Sequence, residues 1–61
     1  MNEFRGYVNG KLEYTFPLHW VDNIKYTPEG MLVTYDNEMK YDLEDQKSVF
    51  EEILVDYINV K

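Results

Sequence analysis

The chain contains no cysteine and no alanine among its 61 residues. Without Cys it forms neither disulfides nor thiolate zinc sites, which often support domains of this size. The missing Ala removes the commonest small helix-forming residue, and the many Tyr, Val and Ile favour strands. A single domain this short buries only about 60% of its unfolded surface. We therefore expect a small core that depends on tight packing or on self-association.

Long apolar runs and basic residues are also scarce. No run approaches the roughly 18 apolar residues of a membrane-spanning helix, and the start, MNEFRGYVNG, is too polar for a signal peptide. The sequence therefore predicts a cytoplasmic protein. Twelve Asp and Glu against six Lys and Arg give a net charge of −6. Because this charge repels nucleic acid and anionic lipid, we expect no direct binding to nucleic acid or membrane.

Turn-forming residues divide the first two thirds of the chain into short extended runs. These residues are Asn9-Gly10, Pro17, Pro28-Glu29-Gly30 and Asp36-Asn37. The runs predict two hairpins and a fifth strand, with strands at about 3–8, 11–16, 20–27, 31–35 and 39–43.

A common apolar face sets the register of these strands, because a slip of one residue turns every side chain over. In the second hairpin it pairs Ile24 with Val33 and Tyr26 with Met31. A three-residue loop, 36–38, then brings the fifth strand beside the fourth.

Two turns compete in the first hairpin. Asn9-Gly10 is the usual pair for a two-residue turn, which would place Tyr7 opposite Leu12. A three-residue loop, 9–11, places Phe4 opposite Phe16 instead. We favour the three-residue loop because it buries more apolar surface, at about 25 cal/mol per Å².

The last third of the chain has the spacing of an amphipathic helix over residues 46–59. Its apolar positions follow the i, i+3, i+4, i+7 pattern, with Asp45 as N-cap or Ser48 and Glu51 as a capping box. These positions are Val49, Phe50, Ile53, Leu54, Tyr57 and Ile58. The expected fold is a single α+β domain, in which the C-terminal helix covers one face of an antiparallel five-strand meander. The meander is either an open sheet or a small partly open barrel.

The stretch FPLHW contains the only Trp and the only His of the chain. Alternation places Phe16, Leu18 and Trp20 in the core and His19 outside, and the competing interpretation exposes Trp20 with His19 as a contact patch. A lone His without a second ligand or a nucleophile indicates neither a metal site nor a catalytic base. The Tyr set 14, 26, 35 and 41 aligns with the face under the helix, which favours core packing over base stacking.

No motif indicates catalysis, a cofactor or a metal. The acidic stretch DNEMKYDLED, residues 36–45, lacks the spacing and central Gly of a calcium loop. A hydrolase using His19 and Asp22 would need a pocket that so small a core hardly holds. The sequence therefore predicts a non-enzymatic protein without cofactors.

The carboxylates on the exposed side of the predicted helix suggest a partner. Spaced about 6 Å apart they resemble a phosphate row, so we expect a small acidic inhibitor or nucleic-acid-mimicking modulator of a basic cytosolic protein. The candidate residues are Asp45, Glu51, Glu52 and Asp56 on the helix, with Tyr7, His19, Val21 and Leu32 elsewhere on the surface. A phage or mobile-element protein is compatible with these features.

The alternative hypothesis is a homo-oligomeric structural domain without a ligand. Tyr7, Val21 and Leu32 fall outside the core register and would form a dimer surface if they cluster on the outer face of the sheet.

Overall fold

The computed structural model describes residues 2–61, and it places these residues almost entirely in strands. Two three-stranded antiparallel sheets have the strand orders β2-β1-β6 and β3-β4-β5. The elements are β1 Glu3–Val8, β2 Lys11–Pro17, a 3-10 helix Leu18–Trp20, β3 Val21–Thr27, β4 Gly30–Asp42, β5 Lys47–Val55 and β6 Tyr57–Val60.

The predicted α+β class and the C-terminal helix are wrong, since residues 2–61 contain no α-helix. Residues 46–59 instead supply β5 and β6. Their apolar residues come in adjacent pairs four positions apart, such as Val49 with Phe50 and Ile53 with Leu54. This spacing fits a helical stripe, but it also fits a strand in which each pair has one side chain on either face. These residues form a strand because they pair with β4 and because their β-branched side chains favour extended backbone.

The single five-strand meander is also wrong, because no turn occurs at Asp36-Asn37. β4 runs through these residues, and the register shift between Asn37 and Tyr41 absorbs residues 38–40 as a bulge. The chain reverses at residues 43–46 instead. There the Asp42 carboxylate accepts the N–H groups of Glu44 and Asp45, at 2.9 and 3.3 Å. The predicted strand 39–43 is thus largely the far end of β4.

The second hairpin is confirmed with its predicted register. Ile24 lies opposite Val33 and Tyr26 opposite Met31. The turn of Pro28 and Glu29 joins β3 to β4.

The first hairpin combines both alternative pairings. Asn9 and Gly10 form the two-residue turn, with the positive φ values of 53° and 77° that this turn requires. Phe4 nevertheless lies opposite Phe16, because a register shift at Gly6 and Tyr7 takes up one extra residue of β2. The preferred three-residue loop is wrong, whereas the core alignment that motivated it is confirmed.

Stacked aromatic rings join the two sheets. Phe16 lies 4.6 Å from Phe4, 4.2 Å from Tyr35 and 5.7 Å from Trp20, measured between ring centroids. Such pairs add about 0.5–1.5 kcal/mol each beyond their buried area. All four side chains are buried, and Val33 and Val55 complete the core.

The predicted burial of the side chains in FPLHW is confirmed. Phe16 and Trp20 are buried, Leu18 packs against the core and His19 is exposed. The segment forms a 3-10 helix rather than a continued strand. The alternative exposed Trp20 patch is wrong. The prediction that four tyrosines pack in the core is only partly right. Tyr14 and Tyr35 contact the core, whereas Tyr26 and Tyr41 are exposed.

Asp56 marks the bend at which the chain passes from one sheet to the other. Its N–H donates to the Tyr7 carbonyl at 2.8 Å, and its carboxylate accepts the Asn9 N–H at 2.8 Å. Close by, a Cβ on Gly6 would lie 2.9 Å from Val55 Cγ1. The two sheets therefore meet with no room for a side chain at Gly6.

Candidate functional site

The far ends of β4 and β5, residues 36–50, form a two-stranded ribbon, and we call this ribbon together with Glu51 and Glu52 at its base the arm, residues 36–52. The pairing of β3 with β4 ends where Val21 lies opposite Tyr35. Beyond Tyr35, β5 is the partner strand of β4 along the described chain. Residues 36–50 of the arm therefore lack the third strand that the rest of this sheet has.

Negative charge is concentrated in the arm. Residues 36–52 contain seven carboxylates and two lysines, a net charge of −5, whereas the rest of the chain has a net charge of −1. An unequal distribution of this kind produces a local field far stronger than the net charge of a small domain suggests.

Large apolar side chains are exposed in the same segment. Met39 and Leu43 are 86% and 81% exposed, and Tyr41 and Phe50 are also more than half exposed. Scattered single hydrophobes are normal on a surface. Four of them on one short two-stranded ribbon are typical of an interaction site.

Glu51 anchors the base of the arm. Its carboxylate accepts hydrogen bonds from the Asn37 amide at 2.6 Å, the Lys40 ammonium at 2.9 Å and the Tyr35 hydroxyl at 3.2 Å. The hydrogen bonds from Asn37 and Lys40 hold the pKa of Glu51 below its ordinary value. Burial, followed by the nearby Glu51 charge, raises the pKa of Tyr35. Glu51 thus stabilises the bulge and the core edge, which restricts its availability to a partner.

His19 contacts the arm from the 3-10 helix. Its Nε2 lies 3.1 Å from Glu38 Oε1, and both side chains are more than half exposed. This pair links the FPLHW corner to the bulge in β4, and exposed pairs of this kind contribute little to stability.

The structure separates most of the predicted partner-binding residues. The helical carboxylate row is wrong, since Glu51 points inward, Glu52 outward and Asp56 caps the bend. Asp45 lies in the turn at the tip of the arm.

The structure also does not bring together Tyr7, Val21 and Leu32, which would form a dimer surface only if they clustered. Val21 packs against the core. Tyr7 contacts Tyr57 on the outer face of the first sheet, with ring centroids 5.5 Å apart. Leu32 lies on the outer face of the second sheet, opposite Lys25 and Leu54.

Sequence reasoning missed the exposed apolar side chains of the arm. It placed Met39, Tyr41 and Leu43 in the core and Phe50 on the apolar face of the C-terminal helix. One signal was present, because the first three alternate with charged residues in a segment of high charge, MKYDL. A strand that is covered on both faces rarely has a charged residue at every second position. The charges between these three residues therefore indicate that at least one face of the segment is exposed.

The concave sites are shallow. A wide-open hollow of about 280 Å³ is lined by Asn2, Glu3, Thr15, Phe16 and Pro17. A second hollow, of about 220 Å³, lies on the arm beside Asp42, Ser48 and Phe50. Within residues 2–61 no three His, Cys, Asp or Glu side chains are grouped to hold a metal ion.

Comparison with protein-family models, curated proteins and solved structures found no match. Across the described residues, no helix has the length and apolar character needed to cross a membrane.

Proposed function

We propose that this chain is a non-enzymatic protein-binding module whose acidic arm binds a basic surface of a partner protein in the cytoplasm. The observation that supports it is the coincidence of two features on one two-stranded ribbon. The arm has a net charge of −5, and it exposes four large apolar side chains. Either feature alone is common on protein surfaces, whereas the arm offers both the apolar and the charged groups that interfaces combine.

The two features contribute to different steps of binding. The carboxylates attract a basic partner over long range and raise the association rate at low salt. The apolar side chains add affinity on contact, since burying one such side chain contributes about 1.5–3 kcal/mol. Met and aromatic residues, such as Met39 and Phe50, are enriched at interface centres.

Mimicry of a phosphate row has no support in this structure. The idea required carboxylates stepped along one side of a helix, but neighbouring Glu51 and Glu52 point to opposite faces of a strand. A basic protein surface remains the proposed partner, without a nucleic-acid groove.

Two matched triple variants test the role of the arm, because each removes three exposed carboxylates and leaves the same net charge. The arm variant is Glu44→Gln, Asp45→Asn and Glu52→Gln. The control variant is Glu13→Gln, Asp22→Asn and Glu29→Gln. The tagged wild type and both variants capture proteins from a nuclease-treated lysate, and the captured proteins are eluted with rising salt.

We expect a basic protein that elutes from the arm variant at clearly lower salt than from the control variant and the wild type. The two variants have the same net charge, but only the arm variant loses the carboxylates that lie close to the partner's basic groups, and salt screens charges that are farther apart. Equal weakening by both variants would show that net charge alone retains the partner, and equal retention would show that the arm is not involved. Either result would refute the proposal.

A second candidate function, self-association, is favoured by a separate apolar patch. Tyr7, Tyr57 and Leu12 lie together on the outer face of the first sheet, and the latter two are 59% and 48% exposed. A dimer formed there would keep the acidic arms away from the interface. Light scattering after size exclusion measures the mass directly, and a monomer at high concentration removes this candidate.

A further inference from the structure

β5 has one uncovered backbone edge. β4 pairs with one side of this strand, and beyond Val55 the chain bends at Asp56 into β6, which pairs with β1. Within the described chain, the other side of residues 47–54 faces no strand. Because successive residues of a strand direct their N–H and C=O groups to opposite sides, every second residue here presents unpaired groups.

The remaining outer edges are less suited to pairing. β2 carries Pro17 and a bulge, β3 has a register shift between Val21 and Asn23, and β6 is only four residues long. These are the devices by which proteins block unwanted strand pairing. β5 has no Pro, and its register with β4 is continuous from Val49 to Val55. It is therefore the longest regular edge left open.

The side chains of β5 alternate between the inner and the outer face of the sheet. Phe50, Glu52 and Leu54 point to the outer face of the sheet and are all exposed. The inner neighbour Glu51 is already bonded to Lys40. The outer row therefore presents one unpaired carboxylate between two apolar side chains.

We propose that the free edge of β5 binds an extended basic segment of the partner protein as an additional strand. This inference rests on the proposed function of the arm and adds its binding mode. Directly opposed side chains of paired strands lie about 5 Å apart. The segment would place Lys or Arg beside Glu52 and apolar side chains beside Phe50 and Leu54. Main-chain hydrogen bonds would supply affinity, and this outer row would supply specificity.

Charge identifies the occupant of the edge. A second copy would bring another arm of charge −5 against the first, and like charges in close contact are strongly unfavourable. A basic segment neutralises the arm instead. The edge thus selects for a basic peptide and against self-pairing.

A synthetic peptide tests this binding mode without knowledge of the natural partner. The free edge spans eight residues, so a probe of comparable length, Lys-Val-Thr-Lys-Thr-Val-Lys, can cover most of it. It places a lysine between two valines on one face, and because its sequence is symmetric it can pair in either strand direction, presenting a different edge in each. Two further peptides carry N-methyl groups, one peptide on alternate residues along a single edge and the other peptide along both edges. They share the charge and side chains of the parent peptide.

We expect the parent peptide to bind at low salt and the peptide N-methylated on both edges to bind about a hundredfold more weakly, because about three main-chain hydrogen bonds are lost in either strand direction. The peptide N-methylated on one edge should bind nearly as well as the parent, because reversing its direction presents the free edge. On binding, amide exchange should slow at alternate residues of 47–54.

The failures can be told apart. If all three peptides bind equally and release together at moderate salt, the arm binds basic chains by charge alone, and strand addition is refuted while the proposed function survives. If no peptide binds but the lysate partner still depends on the arm, strand addition is again refuted. If neither peptide nor partner depends on the arm, both proposals fail.

A charge reversal on the protein side provides a matched check. Glu52→Lys should weaken parent-peptide binding at least tenfold, whereas Glu29→Lys, an exposed site outside the arm, should have a much smaller effect. Equal effects of the two reversals would refute the assigned role of Glu52.

Discussion

The contact between Gly6 and Val55 predicts an unusual pair of mutational effects. Gly6 lies in β1 of the first sheet, and Val55 lies at the end of β5 in the second. Val55 is fully buried, and its Cγ1 lies 2.9 Å from where a Cβ on Gly6 would be. Each single substitution should therefore destabilise the fold, and the two together should compensate.

The magnitudes follow from the groups that are added and removed. Val55→Ala removes two carbons, which costs about 1.6 kcal/mol of transfer free energy at about 0.8 kcal/mol per carbon, and the cavity raises this to about 2–3 kcal/mol. Gly6→Ala overpacks the contact at a cost of about 1–3 kcal/mol, and a less flexible unfolded chain offsets about 0.4–1 kcal/mol of this. In the double variant the new methyl fills the vacated space, although the tight approach of 3.1 Å to Phe4 Cε1 remains and makes the compensation partial. We expect a favourable coupling free energy of about 1–2 kcal/mol.

Urea unfolding followed by Trp20 fluorescence measures all four free energies of unfolding. Trp20 is the only Trp and is buried against Phe16, so its emission reports the joint between the sheets. A chain of this length has a stability of about 3–9 kcal/mol, so the single variants can be marginal. In that case the whole cycle is measured in sulfate, which strengthens burial.

Additivity would refute the packing argument. If the double variant loses the sum of the two single losses to within about 0.5 kcal/mol, the two residues do not share space. The joint between the sheets would then differ from the one described.

Two further predictions concern hydrogen bonds. The pKa of Glu51 is lowered in the folded protein, so its charge contributes stability above its ordinary value of 4.5, and this contribution is lost as the pH falls through the folded pKa. Glu51→Gln should therefore reduce the loss of stability in acid, while the part of the pH dependence that comes from Glu3 remains. Urea midpoints measured against pH test this, and a profile identical to that of the wild type would contradict it. Asp56→Ala should accelerate amide exchange at Asn9, whose N–H the carboxylate accepts, and exchange as slow as in the wild type would contradict the cap.

Local chemistry made the first two hairpins predictable. Their turn residues lie between the strands that they join, and one apolar face fixes the pairing. The FPLHW corner was predictable for a similar reason, because Pro17 ends a strand and large aromatics favour burial. The bulge in β2 was not, since it resolves a competition between the turn and the core that only the folded chain decides.

The route of β4 depended on contacts with residues distant in sequence. Asn37 favours turns in isolation, but here its amide nitrogen donates to Glu51 and its oxygen accepts the Met39 N–H at 3.0 Å. These bonds hold a bulge within a continuing strand. Nothing in the stretch 36–45 alone indicates that Glu51 supplies the partner, so the arm could not be predicted.

The mistaken helix and the candidate binding edge have one origin. A two-layer β fold needs one apolar face on each strand, and the inward residues of β5, such as Ile53 and Val55, already supply it. The extra apolar residues that complete the helical pattern are the outward ones, Phe50 and Leu54, and the fold leaves them exposed. Departures of a sequence from the simplest pattern for its fold concentrate at functional sites. The two residues that made the strand resemble a helix are therefore the ones that the proposed partner segment would cover.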